Sequence, residues 1–182
     1  MTVEEKIRNR RIGVMGMARS GMAAAMQAKA LGGEPFVSDS AREELLVSQT
    51  RALTAASIPF EVGGHSERLL ECDYLVVSPG IPLKIPILKQ AREKGIPIFS
   101  EIEFASWLCR GEMVAVTGSN GKTTTTTLLG EIFVAAGINT RVCGNVGMPF
   151  SEVAGGIPPE GIAVVEVSTF QLETTADFKP HV

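Results

Sequence analysis

The segment 113–127, MVAVTGSNGKTTTTT, has residue types and a spacing that suit phosphate binding. Four residues of strand character lead into a small turn that ends in Gly121-Lys122-Thr123, and a helix-forming segment follows. Because the first N–H groups of a helix lack internal partners and the helix dipole adds partial positive charge, such a turn forms an anion site. Lys122 would reach the outer phosphates of a nucleotide, and the Thr123 hydroxyl would bind Mg²⁺. The predicted cofactor-binding residues are Gly118, Ser119, Asn120, Gly121, Lys122, Thr123 and Thr124.

The match to the P-loop pattern G-x-x-x-x-G-K-[ST] is incomplete, because Val116 stands where the first glycine belongs. The pattern that does fit is T-G-S-N-G-K-T-T, which begins at Thr117. The alternative interpretation is a Gly-Ser-Asn turn with a solvated lysine. A strand before the turn, a helix after it and the spacing of Gly-Lys-Thr together favour nucleotide binding.

A single acid, Glu166, interrupts the otherwise apolar strand-like segment 162–167. A lone carboxylate near the end of an apolar strand is costly unless it is paired or bound to a metal ion. In P-loop enzymes an acid on a neighbouring strand often holds the Mg²⁺ of the nucleotide. The sequence therefore predicts Glu166 as a magnesium ligand beside Thr123, in preference to a salt bridge at the rim of the sheet.

A second glycine-containing turn, at 16–21, follows strand-like residues 11–15 and precedes an Ala- and Met-rich helix. It departs from G-x-G-x-x-G, because Ala18 occupies the second glycine position and its β-carbon hinders a pyrophosphate. The glycines therefore favour a βαβ fold more than they favour NAD. Asp39 and Ser40 end the second strand, where Rossmann folds contact a ribose. The same two residues also suit the N-cap of a helix predicted over 42–56, and the sequence leaves both roles open.

The elements that position these residues alternate between strand and helix, which predicts an α/β fold with mostly parallel sheets. Further strands are predicted at 34–38, 60–62, 74–77, 96–99 and 140–143, and further helices at 86–94, 101–108 and 123–136. The break at 109–112 separates two units. We predict a Rossmann-like domain over 1–110 and the first part of a P-loop NTPase-like α/β domain over 111–182.

Composition limits the function classes. The 182 residues carry a formal net charge of -3, so no basic excess indicates nucleic acid or an anionic membrane as a partner. No apolar run approaches about 18 residues, and the charged N-terminus lacks the apolar core of a signal peptide. Cys72, Cys109 and Cys143 are scattered singly, which is typical of free thiols in a reducing cytoplasm. His65 has no ligand-spaced partner and is interpreted as a loop residue.

Three stretches resemble the Mur ligases of peptidoglycan precursor synthesis: TGSNGKTTTT (117–126), GNVG (144–147) and EVSTFQLE (166–173). The last of these resembles the branch of the family that adds D-glutamate. GMARSG (16–21), SDS (38–40) and SPGIP (78–82) are similar to the uridine-binding domain of that branch. The resemblance spans the whole chain.

The resemblance implies an ATP- and Mg²⁺-dependent ligase that adds D-glutamate to UDP-N-acetylmuramoyl-L-alanine through an acyl phosphate. It implies a cytoplasmic enzyme that is monomeric at full length. Lys122, Asn145 and Glu166 would be catalytic, with Asn145 contacting the muramoyl substrate near a metal ion held by Thr123 and Glu166. Ser168 and Phe170 would shape the acyl phosphate site, and Thr169 replaces the usual serine. The residues along the UDP moiety would be Arg19, Ser20, Asp39, Ser40 and Gly80.

The resemblance also implies a central domain that continues well beyond Val182, so we expect a fragment that binds its ligands poorly and turns over negligibly. Another amino-acid ligase of the same superfamily is one alternative, although EVSTFQLE argues against it. A non-catalytic nucleotide-binding module is a second. An NAD-dependent dehydrogenase is disfavoured by Ala18 and by the P-loop-like turn.

Overall fold

A computed structural model describes residues 2–182 and divides the chain into two compact units, Met1–Phe99 and Ser100–Val182. Along the first part of the chain the elements are α1 (Val3–Ile7), β1 (Arg11–Met15), α2 (Arg19–Ala30), β2 (Glu34–Ser38), α3 (Val47–Ala55), β3 (Phe60–Glu61), β4 (Tyr74–Val77), α4 (Pro86–Glu93) and β5 (Ile98–Ser100). The second part contains α5 (Glu101–Leu108), β6 (Glu112–Val116), α6 (Lys122–Ala135), β7 (Thr140–Gly144), α7 (Phe150–Val153), β8 (Ile162–Glu166) and α8 (Thr169–Leu172).

The first unit is built on a sheet with strand order β3-β2-β1-β4-β5, and β1 pairs in parallel with both β2 and β4. All four residues of β4 are buried, as expected for a continuous apolar strand covered on both faces. Gly13 on β1 leaves room for the Leu75 side chain of the neighbouring strand β4, since a β-carbon at Gly13 would lie 2.4 Å from it. The strand order reverses at β1, and ligands of open α/β sheets bind at such a switch point.

The second unit contains a three-stranded parallel sheet with order β6-β8-β7. Its register pairs Val116 and Gly144 with the same residue, Glu166. The carboxyl ends of all three strands therefore lie at one level. The loops that follow β6 and β7 begin beside the last residue of β8.

These sheets confirm the predicted fold class, while several bounds differ from the sequence expectation. The contacts divide the chain at Phe99, earlier than the predicted boundary at 110/111, because α5 packs on α7 within the second unit. The helix predicted over 42–56 is a 3₁₀ turn at Glu43–Leu45 followed by α3, because Leu46 leaves helical geometry with φ −122° and ψ 18°. No helix within residues 2–182 combines the length and apolarity needed to cross a membrane.

Candidate functional site

The loop between β6 and α6 has the geometry of an anion site. Gly121 is the N-cap of α6 with φ +77°, no side chain caps it, and Gly118 has φ +141°. Both glycines thus adopt backbone angles that side chains disfavour. Thr125 is the first residue of α6 whose backbone N–H donates to a backbone oxygen, that of Gly121. Within residues 2–182, the amides of 122–124 have no backbone acceptor, so they remain available to an anion.

Lys122 folds back over this loop, and its Nζ donates a hydrogen bond to the Gly118 carbonyl oxygen over 2.8 Å. The ammonium group is thereby held at the loop rather than extended into solvent. A phosphate bound to the free amides would lie within reach of this positive charge. The geometry therefore combines a fixed cation with helix-end donors.

Glu166 lies at the centre of the second unit's site and is only 3% exposed. Thr123 Oγ1 donates a hydrogen bond to Glu166 Oε2 over 2.7 Å, and Asn145 Nδ2 donates to Oε1 over 3.2 Å. The Asn145 amide also donates to the Glu166 carbonyl oxygen. The structure thus brings together three predicted site residues from the three stretches 117–126, 144–147 and 166–173. Within the described part of the chain, Glu166 forms no salt bridge at the rim of the sheet.

The donor set of Thr123 and Glu166 fits Mg²⁺. Two adjacent ligands of an octahedral Mg²⁺, each about 2.0–2.1 Å from the ion, lie about 2.9 Å apart. The 2.7 Å separation of Thr123 Oγ1 and Glu166 Oε2 is close to that value. No group of three or more His, Cys, Asp and Glu residues among 2–182 could hold a metal ion. An ion here would rely on one carboxylate, one hydroxyl and phosphate oxygens, as Mg²⁺ commonly does.

The segment after Glu166 contributes two more predicted residues. Ser168 is the N-cap of α8, where its hydroxyl and the Gln171 side chain form a capping box. Phe170 is 69% exposed. Ser168 therefore has an evident structural role, whereas Phe170 presents a bare aromatic ring next to the site.

In the first unit, the loop between β1 and α2 leads into an uncapped helix N-terminus. Arg19 and Ser20 begin α2, and the N-cap residue Ala18 provides no side-chain hydrogen bond. Gly21 is required for the tight turn, since a β-carbon there would lie 1.9 Å from the Gly16 carbonyl oxygen. Ser78 Oγ sits against this turn, and the residue is only 5% exposed. That hydroxyl has no hydrogen-bond partner in the described part of the chain, and sequence reasoning missed it.

Asp39 lies at the end of β2, as predicted, but it caps no helix. Its Oδ2 accepts a hydrogen bond from the Met17 amide over 2.6 Å, and its Oδ1 accepts one from the Ala41 amide over 2.8 Å. The N-cap positions belong to Arg42 and Leu46 instead, so the capping alternative is wrong. Asp39 fixes the glycine turn against the end of β2.

A cavity of about 350 Å³ lies across the carboxyl end of β1, between the loops that follow β2 and β3 and the loop that follows β4. It is predominantly apolar, and Gly80, a predicted site residue, is exposed in the loop that forms one side. The lining residues are Ser40, His65, Ile81, Pro82, Ile85, Pro86 and Ile87. Its position at the switch point is where a parallel sheet binds ligands.

The two units define the class of protein: an α/β protein with a Rossmann-like unit followed by a second α/β unit that contains a P-loop-like turn. A family model described as "Mur ligase MurD-like, N-terminal domain" matches residues 10–100. The chain therefore belongs to the MurD-like Mur ligase family.

Curated relatives agree with this assignment. A UDP-N-acetylmuramoylalanine–D-glutamate ligase from Chlorobium phaeobacteroides is 42% identical over 97% of this chain and 38% of its own length. The ligase of the same name from Alkaliphilus metalliredigens is 43% identical over 97% of this chain and 40% of its own. The chain thus spans about two fifths of the length of these relatives.

Solved structures show the same fold. A murein peptide ligase from Psychrobacter arcticus superposes with a TM-score of 0.54 at 21% identity, covering 88% of this chain and 39% of that one. A UDP-N-acetylmuramate-alanine ligase from Thermotoga maritima gives 0.50 at 24% identity, covering 87% of this chain and 37% of that one. At these identities the likeness concerns the fold.

Proposed function

We propose that this chain is the nucleotide-binding part of an ATP-dependent ligase that joins D-glutamate to UDP-N-acetylmuramoyl-L-alanine. The observation that carries the proposal is the contact of Thr123 and Asn145 with the buried Glu166 carboxylate. The names of the relatives, at about 40% identity, support the choice of substrates. The first unit would hold the UDP moiety and the second would hold ATP with Mg²⁺.

The UDP assignment draws support from the first unit's own groups. The free N-terminus of α2 and the unpaired Ser78 hydroxyl suit an anion, which we take to be the diphosphate. Arg19 and Ser20 form the first turn of α2, and Gly80 lies in the loop that follows β4. The apolar cavity beside Ser40 suits the uridine. Asp39 would act by fixing the turn rather than by capping a helix.

The chemistry requires activation of the substrate carboxylate. Without activation, attack by an amine would have to expel oxide, which is a poor leaving group. Transfer of the γ-phosphoryl group of ATP to the substrate carboxylate gives an acyl phosphate, and the amine of D-glutamate then displaces phosphate. Lys122 and the free amides at 122–124 would neutralise charge on the transferring group. Mg²⁺, when bound, supplies further charge neutralisation. Thr123 and Glu166 would hold it, and Asn145 would orient the Glu166 carboxylate.

We further propose a cytoplasmic protein that is monomeric at full length, with no nucleic-acid or membrane partner. The net charge of -3 supports the absence of a polyanionic partner. Cys72, Cys109 and Cys143 are all free, which suits a reducing compartment.

Calorimetric titration of the 182-residue chain with MgATP, and separately with the UDP-sugar peptide, tests the proposal. Wild type should bind both ligands weakly. Lys122→Ala should weaken MgATP binding at least about tenfold while leaving the UDP-sugar titration unchanged. Lys179→Ala, an exposed lysine of the same unit, is the matched control. Unchanged MgATP binding in Lys122→Ala would remove the proposed role of the loop.

A further inference from the structure

A buried hydrogen-bonded chain ends at the cavity of the first unit. Ser38 is fully buried at the end of β2, and its hydroxyl oxygen lies 2.7 Å from Glu61 Oε1 and 2.7 Å from His65 Nδ1. The same hydroxyl lies 3.3 Å from the Gly64 carbonyl oxygen. Glu61 Oε1 also accepts a hydrogen bond from the Ser66 amide. Strands β2 and β3 and the loop after β3 thus converge on one hydroxyl group.

The position of each proton in this chain follows from counting donors. Burial would raise the pKa of Glu61, but hydrogen bonds from Ser66 and Ser38 and the charge of Arg68 outweigh it, so the pKa lies below the ordinary value. Glu61 is therefore ionised and can only accept. Ser38 has one proton, and the close contact with Glu61 requires that proton. His65 Nδ1 must then carry a proton and donate it to Ser38 Oγ.

The neutral His65 ring is thus fixed in one tautomer, with an unprotonated Nε2. His65 lines the apolar cavity, and its Nδ1 edge is engaged with buried Ser38. This leaves the Nε2 edge of the ring to face the cavity, and within residues 2–182 that nitrogen forms no hydrogen bond. An apolar cavity with one fixed acceptor selects a flat ring that carries a matching N–H donor.

Resting on the proposed function, we propose that His65 determines base specificity: its Nε2 accepts a hydrogen bond from the imide N–H of a uracil ring held in this cavity. Cytosine has a lone pair at the same ring position, so two acceptors would face each other. The site would then disfavour cytidine nucleotides, because the two facing acceptors would have no proton to share. Ser38 and Glu61 act as positioning residues that set the tautomer.

The proposal implies a pH dependence of base choice. Burial lowers the pKa of His65, and the opposing attraction of Asp39 and Glu61 does not overcome it. The charged groups around the ring are these two acids and, beside Glu61, Arg68. Once His65 is protonated, Nε2 becomes a donor, which suits cytosine and repels the imide N–H of uracil. Preference for uracil should therefore fall as the pH falls through the pKa of His65.

Calorimetric titration of the 182-residue chain with UDP and with CDP tests this. At about pH 8, wild type should prefer UDP at least about tenfold. His65→Phe should bring the ratio close to one, and His65→Gln, which keeps an acceptor, should restore part of it. The matched control, His181→Phe, should leave the ratio unchanged. In wild type the ratio should fall as the pH is lowered from about 8 to about 5, through the lowered pKa of His65, and diphosphate ionisation cancels from it.

The outcomes distinguish the role of His65 in base specificity from the proposed function. Tight UDP binding with the same UDP/CDP ratio in wild type and His65→Phe would overturn the role of His65 while leaving the proposed function intact. Failure of wild type to bind UDP at all would overturn both. If His65→Phe does not fold, the wild-type pH series and His65→Gln decide, and a ratio that does not change with pH counts against the proposal.

Discussion

Glu103 is a fully buried carboxylate in the second unit that holds the end of the chain. Its two oxygens accept hydrogen bonds from the amides of Ala176, Asp177 and Phe178, at 2.8–3.1 Å, and from the indole N–H of Trp107 at 2.8 Å. Every contact to these oxygens comes from a donor. Glu103→Gln would replace one oxygen with an NH₂ group that faces donors: those of Ala176 and Phe178 at Oε2, or those of Trp107 and Asp177 at Oε1. In either orientation about two donors would lose an acceptor.

Each buried donor left unpaired costs about 1–3 kcal/mol, so the loss for two donors is about 2–6 kcal/mol. Relief of the charge desolvation offsets part of this, and we expect a net loss of about 2–4 kcal/mol. Trp107 is the sole tryptophan of the sequence and contacts Glu103 directly. Its fluorescence during urea denaturation therefore reports the midpoint for this unit.

The control is Glu160→Gln, at an exposed loop position, which should change the free energy of unfolding by less than about 0.5 kcal/mol. Hydrogen exchange should also accelerate at the amides 176–178 in Glu103→Gln. A loss below about 1 kcal/mol, together with unchanged protection at these amides, would refute the reasoning.

Two further predictions concern buried positions. Gly21→Ala should destabilise the first unit by about 1–3 kcal/mol, measured by circular dichroism during urea denaturation, because the new β-carbon would overlap the Gly16 carbonyl oxygen. Burial raises the pKa of Glu101 despite two hydrogen bonds from Ser151, so its stabilising contribution is full below the unfolded value of 4.5 and is lost as the pH rises through the folded pKa. Glu101→Gln keeps one oxygen for both donors of Ser151, so it should flatten the decline of stability above about pH 4.5, and an unchanged pH profile would contradict this.

The local elements of the chain followed from its sequence because each rests on near-neighbour rules. Alternation of apolar strands with helices predicted two parallel sheets, and the strand–turn–helix context predicted the start of α6. The proximity of Thr123 and Glu166 could also be anticipated, since parallel strands place their carboxyl ends at one edge. The observed register pairs Val116 with Glu166, so the loop that leads to Thr123 begins beside Glu166.

The remaining features depend on contacts between distant segments, which no local pattern encodes. Asp39 has a suitable sequence position for an N-cap, yet the Met17 amide competes for its carboxylate once β1 and β2 pair. His65 is a loop residue, as the sequence predicts, but nothing adjacent in the sequence indicates its hydrogen bond to Ser38. Its partner Ser38 becomes adjacent only when β3 joins β2. The carboxylate of Glu103 likewise accepts hydrogen bonds from amides far along the chain, at residues 176–178.

The unit boundary illustrates the same limit. The composition of residues 109–112 is typical of a linker. However, α5 packs on α7 and on the 3₁₀ turn Ala154–Gly156. The buried Glu101 joins α5 to Ser151 by two hydrogen bonds. Helix α5 therefore belongs to the second unit, although the sequence placed it in the first.

The central claim is that Thr123 and Glu166 hold the magnesium ion of a bound nucleotide. The most direct measurement is the affinity of the 182-residue chain for ATP, titrated with and without Mg²⁺, in wild type, Glu166→Gln and the surface control Glu160→Gln. Mg²⁺ should strengthen ATP binding in wild type and in the control, and Glu166→Gln should lose at least about tenfold of that enhancement. An equal enhancement by Mg²⁺ in all three proteins would contradict the claim.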